Sequence, residues 1–198
     1  PGRFVVAPFK GDVAVIDRSG APVSRLSGLT RGMTSGVLAP DGRLVGGSWE
    51  EGAGIWNLET GAREVSFLEH TEEVVTVDVS PDGALAVSGS WDGTARLWHT
   101  DDGRPGPVLA PGAGPVRHVA FDPGGGRIAV LASDNRVRVY DTGGTLLGLL
   151  ASSRPTRVAW GPHGLTTDEV DGTLRRWSDE QVEPLVTNLR VCPGTSQV

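Results

Sequence analysis

The sequence has little of the chemistry that several protein classes require. Cys192 is the one cysteine among 198 residues, so no internal disulfide can form and nothing requires an oxidising compartment. The apolar runs fall well short of the ~18 residues of a membrane-spanning helix. The start, Pro1-Gly2-Arg3, is not the charged and apolar pattern of a signal peptide. We expect a cytoplasmic chain with no membrane partner.

Basic charge is also scarce. The chain has 18 lysines and arginines against 24 acidic residues, a formal net charge of −6 and an isoelectric point near 5.2. Nucleic acid binding requires clustered cations that neutralise phosphates, and the basic residues here are scattered along the sequence. We therefore expect no nucleic acid partner.

No pattern typical of a catalytic, metal or cofactor site is present. The glycine run Gly124–Gly126 leads into a strand-like segment and not into a phosphate-binding helix. Ser88 lacks the Gly-x-Ser-x-Gly surroundings of a hydrolase nucleophile. Zinc ligands recur at close spacing, and no such pair occurs among the histidines His70, His99, His118 and His163. The sequence predicts no catalytic residue, no metal site and no cofactor.

Two markers recur along the chain with one period. Prolines of Pro-Asp-Gly or related turns are spaced by 41, 42 and 39 residues, at Pro40, Pro81, Pro123 and Pro162. Aromatic residues end short alternating segments with spacings of 42, 42 and 37, at Trp56, Trp98, Tyr140 and Trp177. A repeat of about 40–45 residues with several short strands is typical of a β-propeller blade.

Local patterns favour strands joined by tight turns. The segments 94–98 and 136–140 alternate between the two faces of a strand. Asp92-Gly93 and Asp171-Gly172 lie between strand-like segments and predict hairpin turns. Asp134-Asn135 replaces such a pair, because asparagine also tolerates a positive φ.

Residues 70–98 resemble a WD40 repeat, with His70, Ser80-Pro81-Asp82-Gly83, Ser88-Gly89-Ser90-Trp91-Asp92-Gly93 and Arg96-Leu97-Trp98 in the family's order. The resemblance implies an all-β fold of propeller blades, each a four-stranded antiparallel sheet. It also implies a structural hydrogen-bond tetrad of His70, Ser88, Asp92 and Trp98. The other repeats lack this complete set, so we expect them to depend more on packing. The composition resembles WD40 proteins of bacteria.

The resemblance covers nearly the whole chain, as one array over 1–198. The predicted units are a partial blade at 3–27, blades at 34–68, 73–109, 115–150 and 155–187, and a tail or closing strand at 188–198. This is about 4.6 repeats of ~42 residues, whereas the family usually closes with about seven blades. The favoured interpretation is a fragment of a larger propeller. A closed five-bladed ring and completion by another chain are the alternatives.

Four residues are predicted to bind a partner. Trp49 and Trp91 occupy equivalent turns that, in the family, open onto the top face of the ring, where partners commonly bind. Arg117 and Arg157 lie near the starts of first strands and are assigned to the same face. The alternative is that each tryptophan packs on the neighbouring blade and the arginines are only solvated.

The predicted function is a non-catalytic scaffold or sensor module that binds a protein or peptide. A signalling domain on the N-terminal side of the same polypeptide is one such partner, and self-association through open blade faces is another. The alternatives are a propeller that binds a small ligand or glycan, and an enzyme that uses the central channel. Candidate acids for the last are Glu72, Glu73 and Asp168, which are not paired in the sequence.

Overall fold

The computed structural model describes residues 3–7, 13–29, 31–49, 52–110, 112, 114–151, 153–161, 164–177 and 185–190, with backbone alone for Arg3, Ala151 and 185–190. In this part of the chain the regular elements are all β-strands, which form five antiparallel sheets of three or four strands. The all-β prediction is therefore confirmed. Each sheet is a meander, because strands that follow one another in the sequence pair side by side.

The sheets are numbered in chain order. Sheet 1 contains β1 (Arg3–Val6), β2 (Ala14–Asp17) and β3 (Pro22–Arg25). Sheet 2 contains β4 (Met33–Leu38), β5 (Leu44–Ser48), β6 (Ala53–Trp56) and β7 (Arg63–Phe67). Sheet 3 contains β8 (Val74–Val79), β9 (Leu85–Ser90), β10 (Ala95–His99) and β11 (Pro105–Leu109). Sheet 4 contains β12 (Val116–Phe121), β13 (Arg127–Ala132), β14 (Arg136–Asp141) and β15 (Leu146–Ala151). Sheet 5 contains β16 (Pro155–Gly161), β17 (Gly164–Glu169), β18 (Thr173–Trp177) and β19 (Leu185–Arg190).

The predicted turns close the hairpins in the expected way. Gly42 and Gly83 of the Pro-Asp-Gly turns have φ of +86° and +75°, which glycine adopts without strain. The Gly83 amide donates to the Ser80 carbonyl at 2.8 Å. Asn135 has φ of +61° in the turn that corresponds to that of Gly93, at +84°, so the predicted substitution of asparagine for glycine is confirmed.

Apolar cores lie between neighbouring sheets, because successive side chains of a strand point to opposite faces. In β9, Ala86 belongs to the core between sheets 2 and 3, together with Ile55. Val87, the next residue, belongs to the core between sheets 3 and 4, together with Val119. Full burial of an aliphatic side chain contributes about 1.5–3 kcal/mol, so stacking of the sheets is the main source of stability.

Glycine allows the first strands of sheets 3 and 4 to approach the second strands of sheets 2 and 3. A Cβ on Gly47 would lie 2.7 Å from Cγ1 of Val74, and one on Gly89 would lie 2.6 Å from Cγ1 of Val116. Carbon atoms essentially never come this close, so both positions exclude a larger residue unless the strands move apart. The two glycines occupy equivalent places in sheets 2 and 3.

Polar side chains also connect the first strands of adjacent sheets. The Asp78 carboxylate accepts from the Phe121 amide at 2.7 Å and from the Val79 amide at 2.9 Å. Burial raises the pKa of Asp78, although these two hydrogen bonds oppose the shift. The carboxylate therefore joins sheet 3 to sheet 4 across their shared core.

Core clusters join each sheet to the next along the chain. Within the described residues, no such cluster joins sheet 5 to sheet 1, and the array is not closed. Residues 188–190 end β19, the fourth strand of sheet 5, and the rest of the predicted tail, 191–198 with Cys192, lies outside the described residues. The single array over 1–198 and its blade boundaries stay predictions.

Candidate partner-binding surface

Trp49 and Trp91 lie on equivalent turns, β5–β6 and β9–β10, at the same end of sheets 2 and 3. Their ring centroids are 5.9 Å apart and their planes are perpendicular, so they form an edge-to-face pair. Trp49 is half-buried, whereas 48% of Trp91 is exposed. Such a pair contributes about 0.5–1.5 kcal/mol beyond burial, so each indole orients the other while Trp91 remains open to solvent.

Two glutamates adjoin the tryptophan pair from the segment between β7 and β8. The Trp91 amide donates to the Glu73 carbonyl at 3.0 Å, and the Ser90 hydroxyl donates to the Glu72 carbonyl at 3.1 Å. Backbone atoms thus fix the two residues, and their carboxylates take no part in these bonds. A shallow pocket there is lined by Trp49, Gly52, His70, Thr71, Glu72 and Glu73. We call Trp49, Trp91, Glu72 and Glu73 the Trp surface.

Arg117 and Arg157 lie on β12 and β16, the first strands of sheets 4 and 5. The Arg117 guanidinium donates at 2.9 Å to the Asn135 side-chain oxygen and at 2.9 Å to the Pro155 carbonyl. Arg157 donates to a ring nitrogen of His118 at 3.4 Å. Both arginines are exposed in part but hydrogen bond sheet 4 to sheet 5. The four predicted partner-binding residues therefore fall into an aromatic pair and an arginine pair.

The four predicted tetrad residues lie together directly beneath this surface. The Trp98 indole donates to the Ser88 hydroxyl oxygen at 2.7 Å. Ser88 lies 2.7 Å from Nε2 of His70, and Nδ1 of His70 lies 2.8 Å from Asp92. The chain of hydrogen bonds thus connects the third strand, the second strand, the segment before the sheet and the β9–β10 turn. Its structural role stays a prediction.

One arrangement of protons satisfies every bond of this chain. Neutral His70, with its proton on Nδ1, donates to Asp92 and accepts from the Ser88 hydroxyl. Burial lowers the pKa of His70, against the opposing effect of Asp92. Burial favours a higher pKa for Asp92, but hydrogen bonds from Thr94 and His70 outweigh it and the pKa is lowered. Both shifts favour a neutral imidazole beside a charged carboxylate.

Ser88, His70 and Asp92 have the residue types of a hydrolase triad but not its access. Ser88 is 1% exposed, and its oxygen already accepts the Trp98 indole proton. A nucleophilic hydroxyl must reach a substrate carbonyl, and the buried Ser88 has no path to one. Within the described residues, no three histidine, cysteine or acidic side chains are grouped as a metal site requires.

The comparison with known families agrees with this geometry. The family model of the WD domain, G-beta repeat, matches residues 62–99 and 107–141. These two segments are WD40 repeats. No curated protein matches the chain. Among the residues that the structure describes, none lies in a helix long and apolar enough to cross a membrane.

The two WD40 matches are offset from the sheets by about one strand. The match at 62–99 begins with β7, the outer strand of sheet 2, and continues through the first three strands of sheet 3. The match at 107–141 likewise begins within β11 and continues through β14 of sheet 4. Each sequence repeat therefore links two neighbouring sheets, and the segment carrying His70, Glu72 and Glu73 lies within one repeat.

Sheet 5 has a second polar chain, which the sequence analysis missed. The Trp177 indole donates to the Thr167 hydroxyl at 3.3 Å, and Thr167 donates to the Glu169 carboxylate at 3.1 Å. The other Glu169 oxygen accepts from the Arg154 amide at 2.8 Å and from the Ser153 hydroxyl at 3.1 Å. Aligning Asp171-Gly172 with Asp92-Gly93 would have matched Thr167 to Ser88. Glu169 has no counterpart in the tetrad, so the resemblance gave no signal for it.

In sheets 2 and 4 the polar group of the equivalent aromatic residue forms a hydrogen bond with the backbone of a neighbouring segment. Gly46 takes the place of Ser88 in sheet 2, so no hydroxyl is available and the Trp56 indole donates to the Ser27 carbonyl at 2.8 Å. In sheet 4 the Tyr140 hydroxyl accepts from the Ala110 amide at 3.0 Å. In the described part of the chain, the complete His-Ser-Asp-Trp chain of hydrogen bonds occurs in sheet 3 alone.

His118 lies within β12, the strand position that the sequence predicted for it. Burial, followed by the charge of Arg157, lowers the pKa of His118 to about 4. Nδ1 of this ring is buried and has no hydrogen-bond partner among the described residues. A neutral His118 therefore accepts from Arg157, and its protonation would place two cations side by side.

Proposed function

We propose that this chain is a non-catalytic binding platform for a protein or peptide, with its site at the end of the sheets that carries Trp49, Trp91, Arg117 and Arg157. WD40 repeats generally mediate protein–protein interaction. The observation that carries the proposal is the Trp49–Trp91 pair, in which a large indole remains 48% exposed. The arginine pair extends the site onto sheets 4 and 5.

The energetics of tryptophan support this assignment. Exposed tryptophan and arginine are the residues on which binding energy most often concentrates, and truncation of such an anchor costs about 2 kcal/mol or more. A ring already oriented by its neighbour loses little conformational freedom when a partner covers it. Trp91 meets both conditions, because Trp49 contacts it edge to face and its amide is bonded to Glu73.

Burial of the one hydrolase-like constellation supports the non-catalytic part. Ser88 is enclosed beneath Trp98, and the His70 side chain is 0% exposed. The acids considered for a channel enzyme are separated, since Glu72 and Glu73 belong to the Trp surface whereas Asp168 lies on β17 of sheet 5.

The test is affinity enrichment with the complete chain as bait. We compare the wild type with the double variant Trp49→Ala and Trp91→Ala, and quantify each recovered protein by mass spectrometry. Partners of the proposed site should be recovered at least tenfold less by the double variant, because two anchors are removed. A second variant, Arg117→Ala with Arg157→Ala, measures the contribution of the arginine pair.

A matched control removes an exposed apolar side chain elsewhere. Leu147 on the outer strand β15 is 51% exposed, so Leu147→Ala changes apolar surface without touching either pair. Circular dichroism and thermal unfolding must first establish that each variant is folded. Unchanged recovery of every partner by the folded tryptophan variant would overturn the site, and a glycan array that gave tryptophan-dependent signals would favour glycan binding instead.

A further inference from the structure

We propose that the Trp surface recognises a cationic side chain, lysine or arginine, in a basic segment of its protein partner. This inference rests on the function proposed above and specifies the chemistry of the partner. It is carried by three observations: an open indole, two adjacent glutamates fixed by their backbones, and a recurrent use of arginine against tryptophan within this fold.

The indole of Trp91 is suited to a cation. The face of an aromatic ring carries negative electrostatic potential, tryptophan gives the strongest interaction of the aromatic residues, and the cation must lie within about 6 Å of the ring. With 48% of Trp91 exposed, a side chain from solvent can reach this distance. Trp49 contacts Trp91 in the perpendicular arrangement and so holds the ring in place.

The same contact already occurs twice inside the molecule. The Arg63 guanidinium lies 5.1 Å from the ring centroid of Trp56, and that of Arg127 lies 4.7 Å from Trp160. In both cases an arginine of the chain covers a tryptophan within the array of sheets. Trp91 offers the equivalent chemistry at the surface, where the cation would come from a partner.

The charges beside the ring select the sign of the ligand. Glu72 is exposed and Glu73 is partly exposed, and both line the pocket beside Trp49. The nearby Glu69 is paired with Arg96 at 2.9 Å, so the carboxylates of Glu72 and Glu73 carry the negative charge toward an incoming group. The net charge of −6 adds attraction for a basic partner and repulsion of an acidic one.

Lysine and arginine satisfy both parts of this surface at once. Their methylene stems pack along an apolar ring while the charged head reaches a polar group beyond it. On the Trp surface the stem would lie on Trp91 and the head would reach Glu72 or Glu73. An acidic or purely aliphatic side chain could use the ring but would leave the carboxylates without a partner.

The experiment selects a random peptide display library on the complete wild-type chain and on the folded Trp49→Ala, Trp91→Ala variant. We expect the peptides that depend on the tryptophans to be enriched in lysine and arginine. A synthetic peptide from this set, compared with the version in which its basic residue is norleucine, should bind about tenfold more tightly. Fluorescence polarisation at two salt concentrations measures both affinities.

A matched pair of charge variants isolates the role of the carboxylates. The double variant Glu72→Gln, Glu73→Gln should weaken binding of the basic peptide and flatten the salt dependence of its affinity. The backbone hydrogen bonds of both residues are retained, so the variant changes only their side-chain charge. Glu59→Gln with Glu64→Gln makes the same change of net charge in the β6–β7 region, at the opposite end of sheet 2, and should have little effect. Equal weakening by both pairs would contradict recognition at the Trp surface.

The outcomes separate this inference from the function on which it rests. Tryptophan-dependent peptides that are acidic or neutral, or a norleucine peptide that binds as well as its basic parent, would overturn the cationic partner and leave the binding platform standing. If no peptide depends on the tryptophans, the Trp surface fails as a peptide site and the cationic partner fails with it. A basic peptide whose binding requires both the tryptophan pair and the two glutamates supports the binding platform and the cationic partner.

Discussion

Sheets 3 and 5 each have a buried indole at the equivalent position of the third strand, and different polar side chains form hydrogen bonds around it. In sheet 3 the Trp98 indole donates to Ser88 on the second strand, at 2.7 Å. In sheet 5 the Trp177 indole donates to Thr167 at the corresponding place, at 3.3 Å. Both indoles are almost fully buried, at 1% and 2% exposed. An indole N–H buried without an acceptor is costly, so a hydroxyl at this position is needed in either sheet.

The two hydrogen-bond chains connect to the segment that precedes their sheet in opposite directions. In sheet 3 the segment before β8 supplies His70, whose ring extends into the sheet and ends on Asp92. In sheet 5 the end of β17 supplies Glu169, whose carboxylate extends outward to the Arg154 amide and Ser153. In both sheets a chain of hydrogen bonds connects the indole of the third strand, through a hydroxyl of the second strand, to the segment before the sheet. The comparison teaches that different residue types can make this connection.

The largest expected effect comes from removal of the indole itself. Trp98→Ala should lower the free energy of unfolding by about 3–5 kcal/mol, because it leaves a large cavity and removes the indole N–H that donates to Ser88. Trp98 also stacks on Phe67 of sheet 2, with centroids 5.0 Å apart and planes inclined by 9°. Trp177→Ala is the matched change in sheet 5, expected near the lower end of this range. Urea unfolding followed by circular dichroism measures both.

Trp98→Phe serves as the control for ring volume in that series. It retains much of the stacking on Phe67 but removes the N–H, so its loss of stability should be smaller than that of Trp98→Ala. If Trp98→Ala cost less than Trp177→Ala, the contact between sheets 2 and 3 would not have the weight that the comparison assigns to it.

The next effect concerns the Glu169 carboxylate, which completes the polar chain of sheet 5. Glu169→Ala should lower the free energy of unfolding by about 2–3 kcal/mol, because a charge-assisted bond to the Arg154 amide and the bond to Thr167 are both lost. The Arg154 amide should also exchange its hydrogen faster. Glu169→Gln keeps one acceptor oxygen and should restore part of both properties. Unchanged exchange at Arg154 in a destabilised Glu169→Ala chain would contradict the proposed link.

The repeat pattern and the family resemblance predicted the strands of sheets 3 and 5 and the polar chain of sheet 3. The recurring Pro-Asp-Gly turns and aromatic strand ends indicated where the strands lie along the chain, because turn residues and two-residue alternation depend on short segments of sequence. The tetrad came from the resemblance, and His70, Ser88, Asp92 and Trp98 do lie in one hydrogen-bond chain. These residues recur at family positions, so their contacts could be expected before the fold was known.

The second polar chain could not be predicted in the same way. Glu169 does not correspond to any position of the tetrad. Its partners are the Ser153 hydroxyl and the Arg154 backbone amide, which no sequence pattern marks. The contact between Trp49 and Trp91 was likewise hidden, because residues in different repeats become neighbours only when the sheets stack. The sequence left partner binding and blade packing as alternatives for both rings, and the structure has one ring half-buried and the other half-exposed.

The polar chains of sheets 3 and 5 should also differ in their response to pH. The folded pKa of His70 is lowered below its usual 6.5, so the unfolded chain takes up the proton first and stability falls as the pH drops below about 6.5. His118, lowered to about 4, adds a loss in the same direction between 6.5 and about 4. The chain of Trp177, Thr167 and Glu169 contains no histidine.

Urea unfolding at pH 7.5, 6.5, 5.5 and 4.5 tests this difference. Each histidine contributes a slope of up to ~1.4 kcal/mol per pH unit within its window. His70→Gln and His118→Gln should each flatten the profile, while Thr167→Val should shift it without changing its slope between pH 6.5 and 5.5. A wild-type chain whose stability is constant from pH 7.5 to 4.5 would contradict burial of two neutral imidazoles.

The smallest expected effect separates the two hydroxyls. Thr167→Val preserves shape and breaks two longer bonds, the 3.3 Å bond from Trp177 and the 3.1 Å bond to Glu169, so it should lower the free energy of unfolding by about 1 kcal/mol. Ser88→Ala breaks two bonds of 2.7 Å, to Trp98 and to His70, and should cost about twice as much. Urea unfolding at pH 7.5 measures both, with the partly exposed Thr173 changed to valine as the control. Equal losses for the two variants would mean that the two 2.7 Å bonds of Ser88 stabilise sheet 3 no more than the two longer bonds of Thr167 stabilise sheet 5.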